Sequence, residues 1–433
     1  MNTSTQPNKR VLIIGINFSP EMTGIGKYSG EMVDWLVNDG YDCTVLTSFP
    51  YYPYWEVQQP YKGRAYKKET LNNGKLNIYR CPLYIPKKPS GLKRVLHEAS
   101  FLASAMLMLV HLMFKPKHDY VFCVSPPFHI GFLGLFYRAI RGGKILYHIQ
   151  DLQIEAARDL EIIKSEVVFK GLFSLERFIM REVDFISSIS KGMVKKIKAK
   201  IDRDILFFPN WVDIHACHPI PDPKGLKNDW NFKEEDKVVL YAGSIGEKQG
   251  LEVILDVAAK LREYSFIKFA ICGTGPHKQH LINRAHEEKL DNISFFPLQE
   301  KSLFNQFLNM ADLHLVLQKK SAGDLVMPSK LTTILAVGGV AVVTAEAGTT
   351  LHDVIRDNDM GVIVPPEDTN LLAEAIYHHC TINNDEIKSN ARSYAENQLN
   401  INRVIKKVMN DIKNVEVREE SAIRYLTLNR GKK

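Results

Sequence analysis

Short apolar runs alternate with amphipathic helical patterns along most of this chain, and the alternation constrains the fold more than any other feature. Apolar runs at 11–18, 120–124 and 144–148 are each separated from the next run by a stretch with helical spacing of its apolar residues. A parallel connection must cross the sheet, and a helix is its usual form. The pattern therefore predicts an α/β protein with parallel sheets covered by helices on both faces.

The alternation stops once, in a polar, loop-rich stretch between residues 206 and 236, and restarts at residue 238. A chain of 433 residues is also too long for one ordinary core. We expect two Rossmann-like, doubly wound domains facing across a cleft, at 1–208 and 209–400. We expect a helical tail, 401–433, to pack back on the first domain. Open parallel sheets bind ligands at the carboxyl ends of their strands, so the cleft is the expected site.

Charge and cysteine content narrow the class of protein. The net charge of +7 is mild and is not gathered into an arginine-rich stripe, so nucleic acid is not expected as a partner. The six cysteines are scattered without a C-x-x-C pair, which indicates reduced thiols in a cytosolic protein. The polar start MNTSTQPNKR has no apolar core, so no secretory signal is expected.

An uncharged apolar segment at 99–114, "ASFLASAMLMLVHLMF", lies between Lys93 and Arg94 on one side and Lys115 and Lys117 on the other. It is slightly shorter than the roughly 20 residues that span a bilayer. Three interpretations remain open: a buried helix of a large domain, a helix dipping into the membrane surface beside its basic flanks, or a true span.

The stretch "MTGIGKYSGEM" after the first predicted strand nearly matches the dinucleotide fingerprint G-x-G-x-x-G. Its glycines are Gly24, Gly26 and Gly30, so the last one comes one residue late. A nicotinamide-dependent oxidoreductase would also need an acidic residue at the end of the second strand to hold a ribose, and that strand ends in Thr47-Ser-Phe-Pro. We therefore expect Gly24 and Gly26 to allow a close backbone approach to a diphosphate, ahead of a helix from residue 30.

Two glycine-rich loops follow strands of the second domain. "GSIGEKQG" begins at residue 243 and contains Gly246 and Lys248, and "GTGP" contains Gly273 and Gly275. Glycines at these places let backbone N–H groups approach a phosphate, and a lysine can pair with its charge. Each loop alone is equally compatible with an ordinary turn.

"DLVMPSKLTTILAVGG" is the most informative stretch of the second domain. Pro328 stands where a helix would begin, and Ser329 and Lys330 fall in its first turn. A lysine there is disfavoured by the helix dipole, which favours an anionic ligand over a merely exposed lysine. Asp324 lies just before and can accept hydrogen bonds from hydroxyl groups.

Taken together, the two-domain plan, "GSIGEKQGLE", "CGTGP" and "DLVMPSKLTTILAVGG" resemble the retaining GT-B glycosyltransferases of family 4. The resemblance extends through "TGIGKYSGEM", "FPYYPYW", "RCPLYIPK", "HIQD" and "FFPNW" to the colanic-acid-type exopolysaccharide fucosyltransferases. It implies a nucleotide sugar, GDP-fucose, bound by the second domain. It implies phosphate contacts from Gly246, Lys248, Ser329 and Lys330, nucleotide contacts from Gly273 and Gly275, and sugar contacts from Asp324.

The chain departs from the family pattern at two positions. Thr333 stands where the family usually places a glutamate on the ribose, and Ser244 stands where many members place an arginine on the diphosphate. A hydroxyl can replace the glutamate only with a weaker contact. Neutralisation of the phosphates then rests on Lys248 and Lys330, or on Lys319 and Lys320.

In the first domain, "HIQD" ends a strand at the expected cleft, where the family often has a histidine that bonds the donor sugar. Gln150 occupies that place here, and His148 lies two residues earlier on the same face of the strand. We expect Asp151 to be the functional polar group, with His148 second. An ordinary strand-end histidine is an equally good interpretation of His148.

The resemblance also implies a mechanism in which the protein positions the substrates and stabilises charge. No D-x-D pair is placed to chelate a metal, so we expect neither a metal nor a cofactor. The expected acceptor is a polyprenyl-diphosphate-linked glycan, and the expected location is the inner face of the cell membrane, with peripheral attachment. A sugar-nucleotide epimerase of GT-B fold, the oxidoreductase above and a non-catalytic membrane adaptor are the alternatives.

Overall fold

The structure is a computed structural model that describes residues 9–21, 24–87, 91–159, 165–246, 249–318, 320 and 328–430, the last thirteen as backbone only. Two compact units divide the chain. The first unit contains the residues up to Pro209 together with the helix from Val404 onward, and the second contains Asn210–Arg403. The segment 404–430 thus belongs to the first unit, and Tyr120 there donates a hydrogen bond to Glu416.

The first unit is built on an eight-stranded sheet in the order β3-β4-β2-β1-β5-β6-β7-β8. Its strands are β1 Arg10–Ile14, β2 Asp42–Ser48, β3 Lys67–Leu71, β4 Leu76–Cys81, β5 Tyr120–Ser125, β6 Lys144–Ile149, β7 Phe185–Ser188 and β8 Leu206–Phe207. All neighbours are parallel except β3 and β4, which are antiparallel. Strand β5 is buried along its whole length and β6 is buried from its second residue onward, because helices cover both faces.

Helices of the first unit connect these strands. They are α1 Gly24–Asn38, α2 Gly91–Leu112, α3 Ile130–Arg141, α4 Gln153–Asp159, α5 Glu166–Glu182 and α6 Lys191–Lys198. Helix α1 ends just before Gly40, which has φ +95°, and the Tyr41 N–H donates to the Leu36 carbonyl, which satisfies a free helix carbonyl.

The second unit has a six-stranded parallel sheet in the order β11-β10-β9-β12-β13-β14. Its strands are β9 Lys237–Ala242, β10 Ile267–Cys272, β11 Ile293–Phe296, β12 Leu313–Val316, β13 Val340–Thr344 and β14 Gly361–Val364. Its helices are α7 Glu252–Lys260, α8 Lys278–Glu287, α9 Phe304–Asn309, α10 Lys330–Ala336, α11 Thr350–Arg356, α12 Thr369–Thr381 and α13 Asp385–Tyr394; α14 Ile401–Arg430 begins in this unit. The chain leaves β9 in one direction and β12 in the other, so the switch point where such sheets bind ligands lies between these two strands.

Helix α2 contains most of the apolar segment that the sequence singled out. Its inward face consists of His97, Phe101, Ala105, Leu109 and Leu112, which are buried and recur mostly every four residues. Among the described residues, this is the one helix whose length and mean hydropathy of 1.5 would suffice for a membrane crossing, while only 33% of that window is buried. One face of α2 therefore packs in the first unit, and an apolar remainder stays exposed.

The predicted start of the first helix was wrong. Helix α1 begins at Gly24, six residues before the predicted start, so Gly26 and Gly30 lie inside it. The alternation also failed to predict the antiparallel edge strand β3, "KKETL", which is short and mostly polar. Short charged strands are common at sheet edges because they discourage pairing with another chain.

Candidate functional site

The two glycine-rich loops of the second unit interlock at the carboxyl ends of β9 and β10. The Gly243 N–H donates to the Cys272 carbonyl and the Ile245 N–H to the Thr274 carbonyl, both at 2.9 Å. A Cβ added at Gly273 would lie 1.9 Å from the Gly243 oxygen, and one at Gly275 would lie 2.0 Å from the Ile245 oxygen. Glycine is required here because two backbones touch, a reason that holds with or without a bound phosphate.

Lys330 lies directly beside these loops. Its Nζ is 3.5 Å from the centroid of the Tyr241 ring, and a Cβ at Gly243 would lie 2.9 Å from the same nitrogen. The Tyr241 hydroxyl donates to the Ser244 carbonyl, which fixes the ring. Burial lowers the pKa of Lys330 from 10.5 to about 7, while the ring face favours the charged form. The structure thus places Lys330 beside the interlocked loops of Gly243 and Gly273, and their role toward a phosphate stays a prediction.

The hydroxyl groups near Lys330 are in part already used by the backbone. Thr333 is buried, and its Oγ1 donates to the Lys330 carbonyl at 2.9 Å, so only its lone pairs remain for a ligand. Ser329 and Ser244 are exposed, and Gly246 is half-buried. Lys248, Lys319 and Asp324 lie outside the described residues.

A cavity of about 270 Å³ lies in the second unit near the ends of β12, β13 and β14. Its polar lining includes Gln249, Gln318, Thr344, Glu367 and Thr369. Gln249 and Gly250 are the last two residues of the first glycine loop, so the cavity adjoins this loop near the switch point of the sheet. Such a position is the usual ligand site of an open parallel sheet.

His148 is a core residue of the first unit. It is 3% exposed, its Nδ1 lies 2.9 Å from the Ser187 Oγ, and its ring packs on Phe208 with centroids 4.7 Å apart. Burial lowers the pKa of His148 to about 3, so the ring is neutral at physiological pH. Asp151 follows β6 and is partly exposed, which leaves it the more accessible of the two predicted residues.

The sequence did not predict a polar contact between Gln153, two residues after Asp151, and Glu98 of α2. The Gln153 Nε2 donates to the Glu98 Oε1 at 2.7 Å, and the Gln153 Oε1 accepts from the Phe128 N–H at 3.2 Å. Burial raises the pKa of Glu98 to about 7, against the smaller opposing effects of Gln153 and Arg94. Glu98 immediately precedes the apolar segment 99–114. It is the one acidic residue of α2, and this isolated acid was the signal in the sequence that could have indicated the contact.

The aromatic stretch 49–55, which follows β2, packs on helix α2. Tyr51 lies 4.8 Å from the His97 ring and 5.6 Å from the Trp55 ring, measured between centroids. The Arg94 guanidinium lies 5.8 Å from the Trp55 ring. Tyr54 remains 57% exposed. The side chains of this stretch therefore pack largely against one another and against α2, and one aromatic side chain, that of Tyr54, is exposed to solvent.

Gly24 and Gly26 have a reason in the structure that the sequence did not reveal. A Cβ at Gly26 would lie 2.5 Å from the Glu21 Oε2, and the Glu21 Oε1 accepts the N–H groups of Tyr51 and Tyr52 at 3.0 Å each. Gly24 has φ +60°, a backbone conformation that residues other than glycine adopt only at a cost in free energy. The glycines thus let a buried carboxylate join the start of α1 to the aromatic stretch, whatever they do toward a ligand.

Comparison with known proteins gives the same assignment for both units. Residues 23–211 match the family model "Glycosyl transferase 4-like domain", and residues 224–398 match "Glycosyl transferases group 1". Over 413 residues the chain is 39% identical to WcaI of Escherichia coli (strain K12), a glycosyl transferase assigned to colanic acid biosynthesis, covering 93% of this chain and 100% of WcaI.

Solved structures agree at the level of the fold. Sucrose-phosphate synthase from Thermosynechococcus elongatus superposes with a TM-score of 0.72 at 14% identity, over 95% of this chain and all of that one. HepE of Anabaena, in complex with UDP and glucose, superposes with a TM-score of 0.66 at 12% identity, over 94% of this chain and all of that one. The epimerase and oxidoreductase hypotheses find no support in these matches.

Proposed function

The chain belongs to the group 1 glycosyltransferases of GT-B fold, with a family 4-like first domain, and from this membership we propose a specific reaction. The protein transfers fucose from GDP-fucose onto a polyprenyl-diphosphate-linked glycan during synthesis of a colanic-acid-like exopolysaccharide. The observation that carries this proposal is the similarity to WcaI over the whole length of that protein.

The donor diphosphate binds at the interlocked loops of the second unit in this proposal. The ammonium group of Lys330 lies beside the loop that begins at Gly243 and offers positive charge there, together with backbone N–H groups of the loop other than those that already donate to carbonyls, such as those of Gly243 and Ile245. Preorganised donors of this kind stabilise a leaving diphosphate without further rearrangement. Lys248 and Asp324 keep the roles that the family resemblance implies.

Catalysis proceeds with retention of configuration and without a metal in this proposal. The leaving phosphate oxygen takes the proton of the acceptor hydroxyl, so no enzyme nucleophile is needed. Asp151 of the first unit orients the reacting groups. A neutral, buried His148 is poorly suited to carry a proton, so we assign it to the support of the strand that ends before Asp151.

The protein binds the inner face of the cell membrane through α2 in this proposal. Leu92, Val95, Leu96, Leu107 and Val110 on this helix are between 42% and 83% exposed. The cations that flank the apolar segment, Lys93, Arg94, Lys115 and Lys117, are all exposed. Exposed apolar side chains beside basic groups suit the headgroup region of an anionic membrane.

A donor and acceptor panel tests the reaction. GDP-fucose, GDP-mannose and UDP-hexoses are each supplied with a polyprenyl-diphosphate-linked monosaccharide, and the product is analysed by mass spectrometry and by NMR of the anomeric carbon. We expect transfer from GDP-fucose with a β-linked product, because the fucose of the donor is itself β-linked to the diphosphate, and turnover that does not depend on added Mg²⁺. Transfer from a UDP-hexose alone would contradict the proposed donor, and an inverted linkage would contradict retention. A strict Mg²⁺ requirement would contradict catalysis without a metal.

Vesicle flotation tests the membrane proposal separately from the chemistry. Removing the four flanking cations, or changing Leu107 to Asp, should release the protein from vesicles that contain anionic lipid. The matched control is Val417→Asp, which places the same charge at a 61% exposed apolar residue on another helix. Equal binding of all variants would show that α2 does not contact the membrane.

A further inference from the structure

Two histidines and a glutamate, none of them assigned to the reaction, form a compact group on the second unit beside the interlocked glycine loops. Glu252 lies in the first turn of α7, and His277 and His280 lie at the start of α8. One ligand atom from each of the three lies within 4.8 Å of the other two. His277 and Glu252 are half-buried and His280 is exposed, so all three can be reached from solvent.

The geometry within the group is close to that of a metal site. The His277 Nε2 lies 2.6 Å from the Glu252 Oε1, and the two imidazole centroids are 4.8 Å apart. Nitrogen and oxygen ligands at about 2.0–2.2 Å from a tetrahedral Zn²⁺ are about 3.4 Å from each other. Glu252 and His277 would need to separate by less than about 1 Å, which half-buried side chains can do by rotation.

The ligand types select the class of metal. Imidazole nitrogens suit borderline transition metals, whereas Mg²⁺ and Ca²⁺ prefer a shell made only of oxygen. Two histidines and one glutamate leave a fourth position for water. The neighbouring Lys278 does not occupy the ligand atoms, because its ammonium group donates to the Gly273 and Phe296 carbonyls at 2.9 and 2.8 Å.

We propose that Glu252, His277 and His280 bind one Zn²⁺ ion. The ion replaces the proton shared between His277 and Glu252 and joins the first turn of α7 to that of α8. The backbone N–H of His277 donates to the Ile245 carbonyl at 3.2 Å. An ion that holds His277 therefore also fixes one end of the interlocked glycine loops. The proposal assigns the ion no part in sugar transfer, and it does not depend on which sugar the protein transfers.

Calorimetric titration of ZnCl₂ into tag-free, EDTA-treated full-length protein tests the site. We expect one Zn²⁺ per chain, undiminished by a large excess of Mg²⁺, and a higher melting temperature of the wild type with Zn²⁺ because the ion binds only the folded chain. His280→Ala, at an exposed position, should weaken this binding by at least about tenfold, and Glu252→Gln should do the same.

The matched control is His378→Ala, which removes an exposed histidine that also has a histidine neighbour, 5.1 Å between centroids, but belongs to no metal-ligand group among the described residues. It should bind Zn²⁺ as the wild type does. Circular dichroism of each variant confirms that it is folded. The proposal is overturned if the wild type binds no stoichiometric Zn²⁺, or if His280→Ala and Glu252→Gln bind it as tightly as the control. Because transferase activity is not measured, neither result depends on the proposed reaction.

Discussion

The lowered pKa of Lys330 makes the affinity for a nucleoside diphosphate depend on pH above neutrality. In the free protein the pKa is about 7, because the ammonium group is buried against Tyr241. A bound diphosphate favours the charged form, so its binding draws a proton onto Lys330. The fraction already charged in the free protein then sets the apparent affinity.

The size of this effect follows from the pKa. With a pKa of about 7, the charged fraction falls from about 24% at pH 7.5 to about 1% at pH 9. The apparent Kd for GDP should therefore rise about 25-fold over this range, a loss of about 1.9 kcal/mol. The terminal phosphate titrates near pH 6, well below the window, so it does not contribute.

Isothermal titration calorimetry measures both the affinity and the proton uptake. Titrations at pH 8 in buffers with different ionisation enthalpies should show about 0.9 proton taken up per GDP bound. Lys330→Met should bind more weakly at pH 7.5 and lose both the pH dependence and the proton uptake. The matched control is Lys260→Met on α7, whose amine bonds Asn370 at the surface, and it should behave as wild type. Flat affinity of the wild type from pH 7.5 to 9, or a slope retained in Lys330→Met, would refute the reasoning.

Three further predictions concern stability, measured by urea unfolding. Gly275→Ala should destabilise the second unit by about 2 kcal/mol or more because the new Cβ meets the Ile245 oxygen, whereas Gly171→Ala, in an exposed and open turn of α5, should be neutral or stabilising; equal effects would contradict the loop contact. Arg80→Met should cost about 1.5–3 kcal/mol, because this 2% exposed guanidinium bonds Glu69 and the Ser19 carbonyl while Glu69 keeps its ion pair with Lys67, and a loss below about 1 kcal/mol would show that these contacts contribute little. Burial lowers the pKa of His314 to about 4, so the unfolded chain binds more protons as pH falls below about 6.5; wild type should lose about 1.4 kcal/mol more than His314→Leu between pH 7.5 and 5.5, and equal losses would exclude this histidine as a cause.

The local pattern was sufficient to predict most of the architecture. The strands that became β5 and β6 were predicted to within one residue, because a buried parallel strand appears as a short, nearly continuous apolar run. The same approach failed at α1. Glycine is a poor helix former, and the helix starts at Gly24 because the first unit packs Glu21 and Ser19 against Gly26 and Gly30. Those contacts involve residues in an irregular segment that periodicity does not describe.

The candidate site divides in the same way. The glycine loops and Lys330 could be predicted from the sequence, since loops after parallel strands meet at one edge of a sheet. The contacts that these residues make could not be predicted. That Gly273 and Gly275 hold two backbones together, and that Thr333 gives its proton to the Lys330 carbonyl, depends on atoms brought close only by folding.

The sequence by itself determined two α/β domains, the place where the second one begins and the family to which the chain belongs. The domains follow from the spacing of apolar residues along the chain, which requires no knowledge of distant neighbours, and the family follows from the resemblance of short motifs. The tertiary structure decided which groups are charged and which are accessible. It buries His148 as a neutral core residue, gives Lys330 and Glu98 pKa values of about 7, and brings Glu252 to His277 and His280. Desolvation and ligand geometry arise from packing between separate elements, and no local pattern encodes them.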